Sequence, residues 1–286
     1  MTEKRVDDAS AVLAVGVPGT VGRHVGLQLA AGGTRVRTLT GRDLLAPAAL
    51  EAAAQGAGAV LLGWPFPTAD GAADALGVLA REAGRVVLLS SAAVPDVPGQ
   101  PEAEVEALLV RSGVRHTVLR AHGFADALRW AEEIRTVGVV RGYGGGAGLN
   151  PVDERDIAAV AVRALVEDGH DGARYLLTGP ESPTQAEQVG IIGEAADRPV
   201  TWEEIPREAA RRRMLATGRT PADVDRALDF VHARVAGPQP ATTTVQDLTG
   251  HPARSFRTWA TDHSALFRRT GRPATSTLGP DERSAP

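Results

Sequence analysis

Residues 11–40, AVLAVGVPGTVGRHVGLQLAAGGTRVRTLT, constrain this chain more than any other stretch. The apolar run AVLAVG leads straight into Gly16-Val17-Pro18-Gly19-Thr20-Val21-Gly22, a G-x-x-G-x-x-G turn. Val21, Val25, Leu27 and Leu29 then recur at helical spacing until Gly32 and Gly33 stop the helix, and TRVRTLT reads as a second strand. Strand, glycine turn, helix and strand make a βαβ opening. Gly16 permits the sharp bend, Gly19 lets a pyrophosphate approach the backbone, and Gly22 lets the helix pack close to the sheet. The backbone at Thr20, Val21 and Gly22, at the helix's amino end, would then face an anion. A tight turn that binds nothing is the alternative.

The rhythm continues. AGAVLLGW (57–64), GRVVLLSS (84–91) and RHTVLRA (115–121) read as buried parallel strands, separated by helical patterns. This alternation predicts an α/β fold, a doubly wound, Rossmann-like parallel sheet with helices on both faces. Residues 11–150 form the dinucleotide-binding core in this reading. Residues 151–267 combine a smaller, mostly helical lobe with elements returning to the core. GFADALRWAEEIRTVG (123–138) reads as one helix, and Asp153 or Asp156 starts the next. Thr184 with Glu187, and Thr220 with Asp223, read as helix caps. Residues 1–10 and 268–286 lack apolar periodicity and are expected to be disordered.

Composition narrows the function. A formal net charge of -4 gives no electrostatic reason for nucleic acid or anionic membrane as partner. There are no cysteines, which removes disulfides and thiolate chemistry, and no apolar run approaches a membrane span. A cytoplasmic protein acting on a small molecule is expected, with homo-oligomerisation open. Lys4 is the only lysine, so an active-site lysine would have to come from the chain's start. Histidines do not cluster at ligand spacing and no metal site is expected; the arginine run 211–213 reads as a solvated helix face.

The opening stretch resembles that of the NmrA-like group of atypical short-chain dehydrogenases/reductases. LLGWPFP (61–67), LLSSAAV (88–94), EAEVEALLVRSGVRHTVLRAHGFADAL (102–128) and NPVDERDIAAVAVRALVEDGHDGARYLLTGPESPTQAEQV (150–189) resemble successive blocks of that group, and QDLTGHPARSFRTWATDHSALF (246–267) its closing helix. The resemblance implies NAD(P) bound through Gly16, Gly19 and Gly22. Members carry a longer interval after the second strand, with a helix, a third strand and a Gly-Asp-Leu turn. Here TLT runs almost directly into Gly41-Arg42-Asp43-Leu44, which resembles that turn with Arg42 inserted. One edge strand–helix unit is therefore expected to be absent, and with it part of the adenosine grip. No acidic residue ends TRVRTLT, so Arg37 and Arg42 favour NADP if either meets a 2′-phosphate. Both could equally be solvated arginines guarding an exposed sheet edge.

The Tyr-x-x-x-Lys pair of ordinary short-chain dehydrogenases is absent: Tyr143 and Tyr175 are followed four residues later by Ala147 and Gly179. Candidates come instead from the strand ends. Ser90 and Ser91 offer hydroxyls to a substrate oxygen, or satisfy local backbone groups. The resemblance places His122, in LRAHGF, near the nicotinamide, where it suits a general acid or base; a surface histidine is the alternative. Asp126 and Trp130 share a helix face towards a cleft, or lie in solvent and core respectively. Trp64 and Phe66 form an apolar wall for an aromatic or polyketide-like substrate, or simply pack, and Phe124 is assigned to the substrate with them. The leading expectation is an NAD(P)-dependent reductase. A non-redox cyclase, isomerase or dehydratase using the shortened cleft comes second, and a cofactor-sensing regulator third.

Overall fold

The computed structural model describes residues 11–17, 19–95, 99–121, 125–237 and 240–268, excluding the side chains of residues 125 and 126. The elements alternate as the sequence predicts. In order they are β1 (Ala11–Val15), α1 (Gly19–Ala31), β2 (Val36–Leu39), a 3-10 turn (Gly41–Leu45), α2 (Pro47–Ala54) and β3 (Ala57–Gly63). Then follow α3 (Ala72–Glu82), β4 (Val86–Ser91), α4 (Pro101–Arg111), β5 (His116–Ala121), α5 (Ala125–Leu128), α6 (Ala131–Thr136) and β6 (Val139–Gly142). The chain continues through α7 (Glu154–Val166), β7 (Arg174–Leu177), α8 (Gln185–Ala195), β8 (Thr201–Glu204), α9 (Arg207–Leu215), α10 (Pro221–Ala236), α11 (Thr244–Thr249) and α12 (Phe256–Asp262).

Six parallel strands form the main sheet in the order β2-β1-β3-β4-β5-β7. The alternation of side chains along each strand sends neighbours to opposite faces. Leu13 and Val15 of β1 join Val60, Leu62 and Leu88 on the face covered by α2, α3 and α4. Val12 and Ala14 join Leu61, Val87 and Leu119 under α1 and α7. Both faces are covered by helices, so the central strands are mostly apolar, with the buried polar groups Ser90 and Thr117 as exceptions. β2 is only half buried and forms one edge of the sheet, with no strand outside it among the described residues. This is the shortened edge that the abrupt TLT–Gly41 junction predicts.

The later chain weaves between core and lobe. β6 pairs with β8 in a separate two-stranded sheet, α7 and β7 return to the core, and α8 to α10 with α12 belong to the lobe. Thr184 and Glu187 make a reciprocal capping box, Thr220 accepts from the Asp223 amide, and Asp153 caps α7. The single helix expected over residues 123–138 is instead two. A turn closes from Trp130 N to Ala127 O at 3.2 Å, and burial of Trp130 beside Trp202 redirects the chain there. The ends expected to be disordered, 1–10 and 268–286, lie outside the described residues apart from Arg268. No helix among the described residues is long and apolar enough to cross a membrane.

Helix α4 is tied to the sheet by a buried ion pair. Glu106 is 4% exposed, accepts from Arg120 at 3.0 and 2.6 Å, and accepts from the Ser90 hydroxyl at 2.6 Å. Removing the carboxylate strands both donors. Glu106→Ala is expected to destabilise the fold by about 3–5 kcal/mol, measured by urea denaturation, and Glu106→Gln by less.

Candidate functional site

The order β2-β1-β3 places the switch point of the sheet at the carboxyl ends of β1 and β3, where ligands of such folds bind. Gly16 (φ +63°) and Gly63 cross back to back there. A Cβ on Gly16 would lie 2.2 Å from Gly63 O, and one on Gly63 would lie 2.6 Å from Gly16 O. A Cβ on Gly22 would lie 2.1 Å from Val17 O, so α1 can start this close to the turn only with glycine there. Gly19 (φ +80°) differs: among the described residues nothing lies within 4 Å of its Cβ position, and the turn is open on that side. Thr20 is exposed and Val21 half-buried, and α1 has no acidic residue in its first turn. An open, glycine-lined helix start without a competing carboxylate fits the pyrophosphate of a dinucleotide.

The adenosine side is spare. Thr40 donates to Asp43 at 2.6 Å, and Gly41 lies so close to Pro65 that a Cβ would approach its ring to 2.7 Å. Arg42 is exposed, and its side chain makes no hydrogen bond among the described residues. Arg37 instead donates to Gln55 O at 3.0 Å, just before β3 begins. Its guanidinium is thereby held away from the carboxyl end of β2.

Beyond the switch point, a cavity of about 1170 Å³ separates the sheet's carboxyl edge from the lobe. Trp64, Phe66, Ser91 and Ala121 line the core side, with Trp130, Tyr143, Trp202 and Phe230 facing from the lobe. Trp64 and Phe66 meet edge to face at 5.0 Å, and Trp64 donates to Thr68 O at 2.6 Å. Trp130 meets Trp202 edge to face at 6.0 Å, with Arg129 stacked 4.8 Å over its ring. Trp64, Phe66 and Trp130 are thus brought to one cavity.

The two serines separate. Ser90 is buried with its hydroxyl given to Glu106, whereas Ser91 stays on the cavity wall and accepts from the Ala93 amide at 3.1 Å. His122 and Phe124 lie outside the described residues. Asp126 falls in α5, but its side chain is outside the description. The arginine run is not simply solvated. Arg211 makes a two-pronged pair with Asp225 at 2.7 and 3.1 Å, and Arg213 reaches Glu133 and, at 2.8 Å, Arg141 O. Opposite charges on neighbouring elements, invisible along the sequence, recruit both.

Sequence reasoning also missed the turn after β6. Glu204 accepts from Gly144 N at 2.6 Å, Gly145 N at 2.8 Å and Trp202 Nε1 at 2.8 Å. Burial acts to raise its pKa, but the indole and the two amides outweigh it and hold the carboxyl below its ordinary value. The folded state therefore binds fewer protons than the unfolded state near that value. Stability from this contact is present above the unfolded pKa and is lost as pH falls through the folded one. Glu204→Gln is expected to lower stability at neutral pH by roughly 1 kcal/mol, allowing for solvent screening. Chemical denaturation of both proteins should show the gap closing below the ordinary value of 4.5.

No family model matches the sequence. A (4-alkanoyl-5-oxo-2,5-dihydrofuran-3-yl)methyl phosphate reductase of Streptomyces griseus is 35% identical over 279 residues, covering 90% of this chain and 99% of that protein. Among solved structures, the Escherichia coli NADPH-dependent quinone oxidoreductase QOR2 complexed with NADPH superposes with a TM-score of 0.72 at 22% identity. It covers 88% of this chain and 99% of its own. NmrA, a negative transcriptional regulator, superposes with a TM-score of 0.67 at 14% identity, over 90% of this chain and 96% of its own. The two structural likenesses bear on the fold alone.

Proposed function

The chain belongs to the NmrA-like family of atypical short-chain dehydrogenases/reductases, and on that premise we propose that it is an NAD(P)H-dependent reductase of a small conjugated carbonyl compound. The observation that carries the reading is the first turn of α1, open at Gly19 and free of carboxylates. The Streptomyces griseus relative, a reductase of an acylated unsaturated lactone, supports the reaction class. The aromatic walls at Trp64, Phe66, Trp130 and Trp202 suit a flat, conjugated substrate.

Each part of the chain has a task in this account. The turn at Gly16 and Gly19 and the backbone at Thr20, Val21 and Gly22 would hold the pyrophosphate. Arg42 would meet a 2′-phosphate, making NADPH the preferred form. Thr40 and Asp43 flank the adenosine side. When bound, the nicotinamide supplies hydride. Trp64 and Phe66 hold the substrate against the strand ends and keep water from that wall, while the Ser91 hydroxyl, which donates to nothing among the described residues, would orient a substrate oxygen.

The test is turnover of an acylated butenolide, with and without a phosphate on its hydroxymethyl arm, followed by loss of reduced-nicotinamide absorbance. NADPH should be consumed by the wild type. Arg42→Ala should weaken NADPH binding about tenfold, the scale of one lost hydrogen bond to a charged group, with little change for NADH. Absence of both turnover and cofactor binding would favour the non-redox alternative, in which the same cleft takes substrate alone.

A further inference from the structure

Residues 142–145, Gly-Tyr-Gly-Gly, form a closely packed turn of which Gly142 and Tyr143 line the cavity. A Cβ on Gly142 or on Gly145 would lie 2.3 Å from an atom of the Trp202 indole. Gly144 (φ +74°) would bring a Cβ 2.3 Å from Val231. Side chains fix the turn from two sides. Gln185, 2% exposed, donates to the carbonyls of Tyr143 at 3.2 Å and Gly144 at 2.8 Å, and accepts from Arg129 at 2.6 Å. Glu204 takes the two amides that follow Tyr143.

Tyr143 is the one residue of this turn with a side chain. It is half-buried, lines the cavity and rests against Ala210, Val224 and Leu228. Its Oη lies 2.9 Å from Nδ1 of His232 on α10, whose ring is exposed to water. The other tyrosine, Tyr175, is paired with His170 at 2.9 Å and does not line the cavity. A phenol on a rigid turn, facing a cavity and backed by a solvent-accessible imidazole, has the parts of a proton relay.

We infer that Tyr143 is the proton-donating catalytic residue of this site and that His232 recharges it. The inference rests on the reductase reading above. Once the β-carbon of a conjugated carbonyl has accepted hydride, its C=C electron pair shifts and the carbonyl π pair becomes a lone pair on oxygen. The Tyr143 Oη–H bond then breaks as an O–H bond forms on that enolate. The phenolate regains a proton from Nδ1 of protonated His232, and the exposed imidazole takes one back from water. The enol tautomerises to the saturated carbonyl.

The experiment pairs a binding measurement with a rate. Tetronic acid, a stable enolate mimic, is titrated calorimetrically into wild type and Tyr143→Phe, each with and without oxidised NADP. The variant should bind tetronate at least tenfold more weakly, with its affinity for NADP within twofold of wild type. On the acylated butenolide its kcat should fall a hundredfold or more, with KM changed less than threefold. His232→Ala should lower kcat at unchanged KM, and added imidazole should restore part of the rate. Equal or absent tetronate binding in wild type and variant overturns the assignment of Tyr143, and no recovery with imidazole removes His232 from the relay. A wild type that neither binds NADP nor reduces the butenolide, while its tetronate affinity still depends on Tyr143, would support Tyr143 as a donor to an enolate oxygen in this cavity and overturn the hydride reading instead.

Discussion

The crossing of Gly16 and Gly63 is the contact on which the site depends. At the switch point the chain leaves β1 for one face of the sheet and leaves β3 for the other, so the two exits must pass within van der Waals reach. With a Cβ at either position 2.2 to 2.6 Å from the opposing carbonyl, neither exit tolerates a side chain without backbone movement. Such movement would displace both the anion-facing turn and the Trp64 wall, because each begins at one of these residues. A single steric constraint thus fixes cofactor turn and substrate wall relative to each other.

The shortened sheet edge is accommodated by the same crossing. Leu44, 1% exposed, tucks beneath it, with Cδ1 3.1 Å from where a Gly16 Cβ would be. Gly41 then seats the 3-10 turn on Pro65. The turn therefore closes the core that an additional strand and helix would otherwise cover. What remains on the adenosine side is a short polar rim of Thr40, Arg42 and Asp43. Loss of the edge unit leaves the pyrophosphate turn itself intact, because α1 and β1 are held by Val25 and Leu29 in the core cluster on the sheet's other face.

Most of the scaffold is legible from local patterns. The apolar strands, the glycine turn and the Thr184 capping box each depend on residues a few positions apart, and the structure follows them. The abrupt passage from TLT to Gly41 likewise reveals the missing edge. Long-range pairing is less accessible. Ser90 gives no sign along the chain that Glu106 takes its hydroxyl, nor does Arg37 that Gln55 holds it. The break at Trp130 is set by Trp202, far away in sequence. Tyr143 does not fit a Tyr-x-x-x-Lys pattern, and its pairing with His232 spans too much of the chain to be read locally. A lone aromatic residue in GYGGG is the available signal, since so many glycines in a wall imply tight packing around the residue that keeps a side chain.

The most direct test of the account is calorimetric titration of the purified protein with NADPH, after checking it for nucleotide retained through purification. Binding at about micromolar affinity, corresponding to roughly -8 kcal/mol, is the predicted result. It would mean that the turn at Gly19 and the rim at Arg42 suffice without the edge unit. Absence of binding by a folded, nucleotide-free protein would contradict the account at its centre.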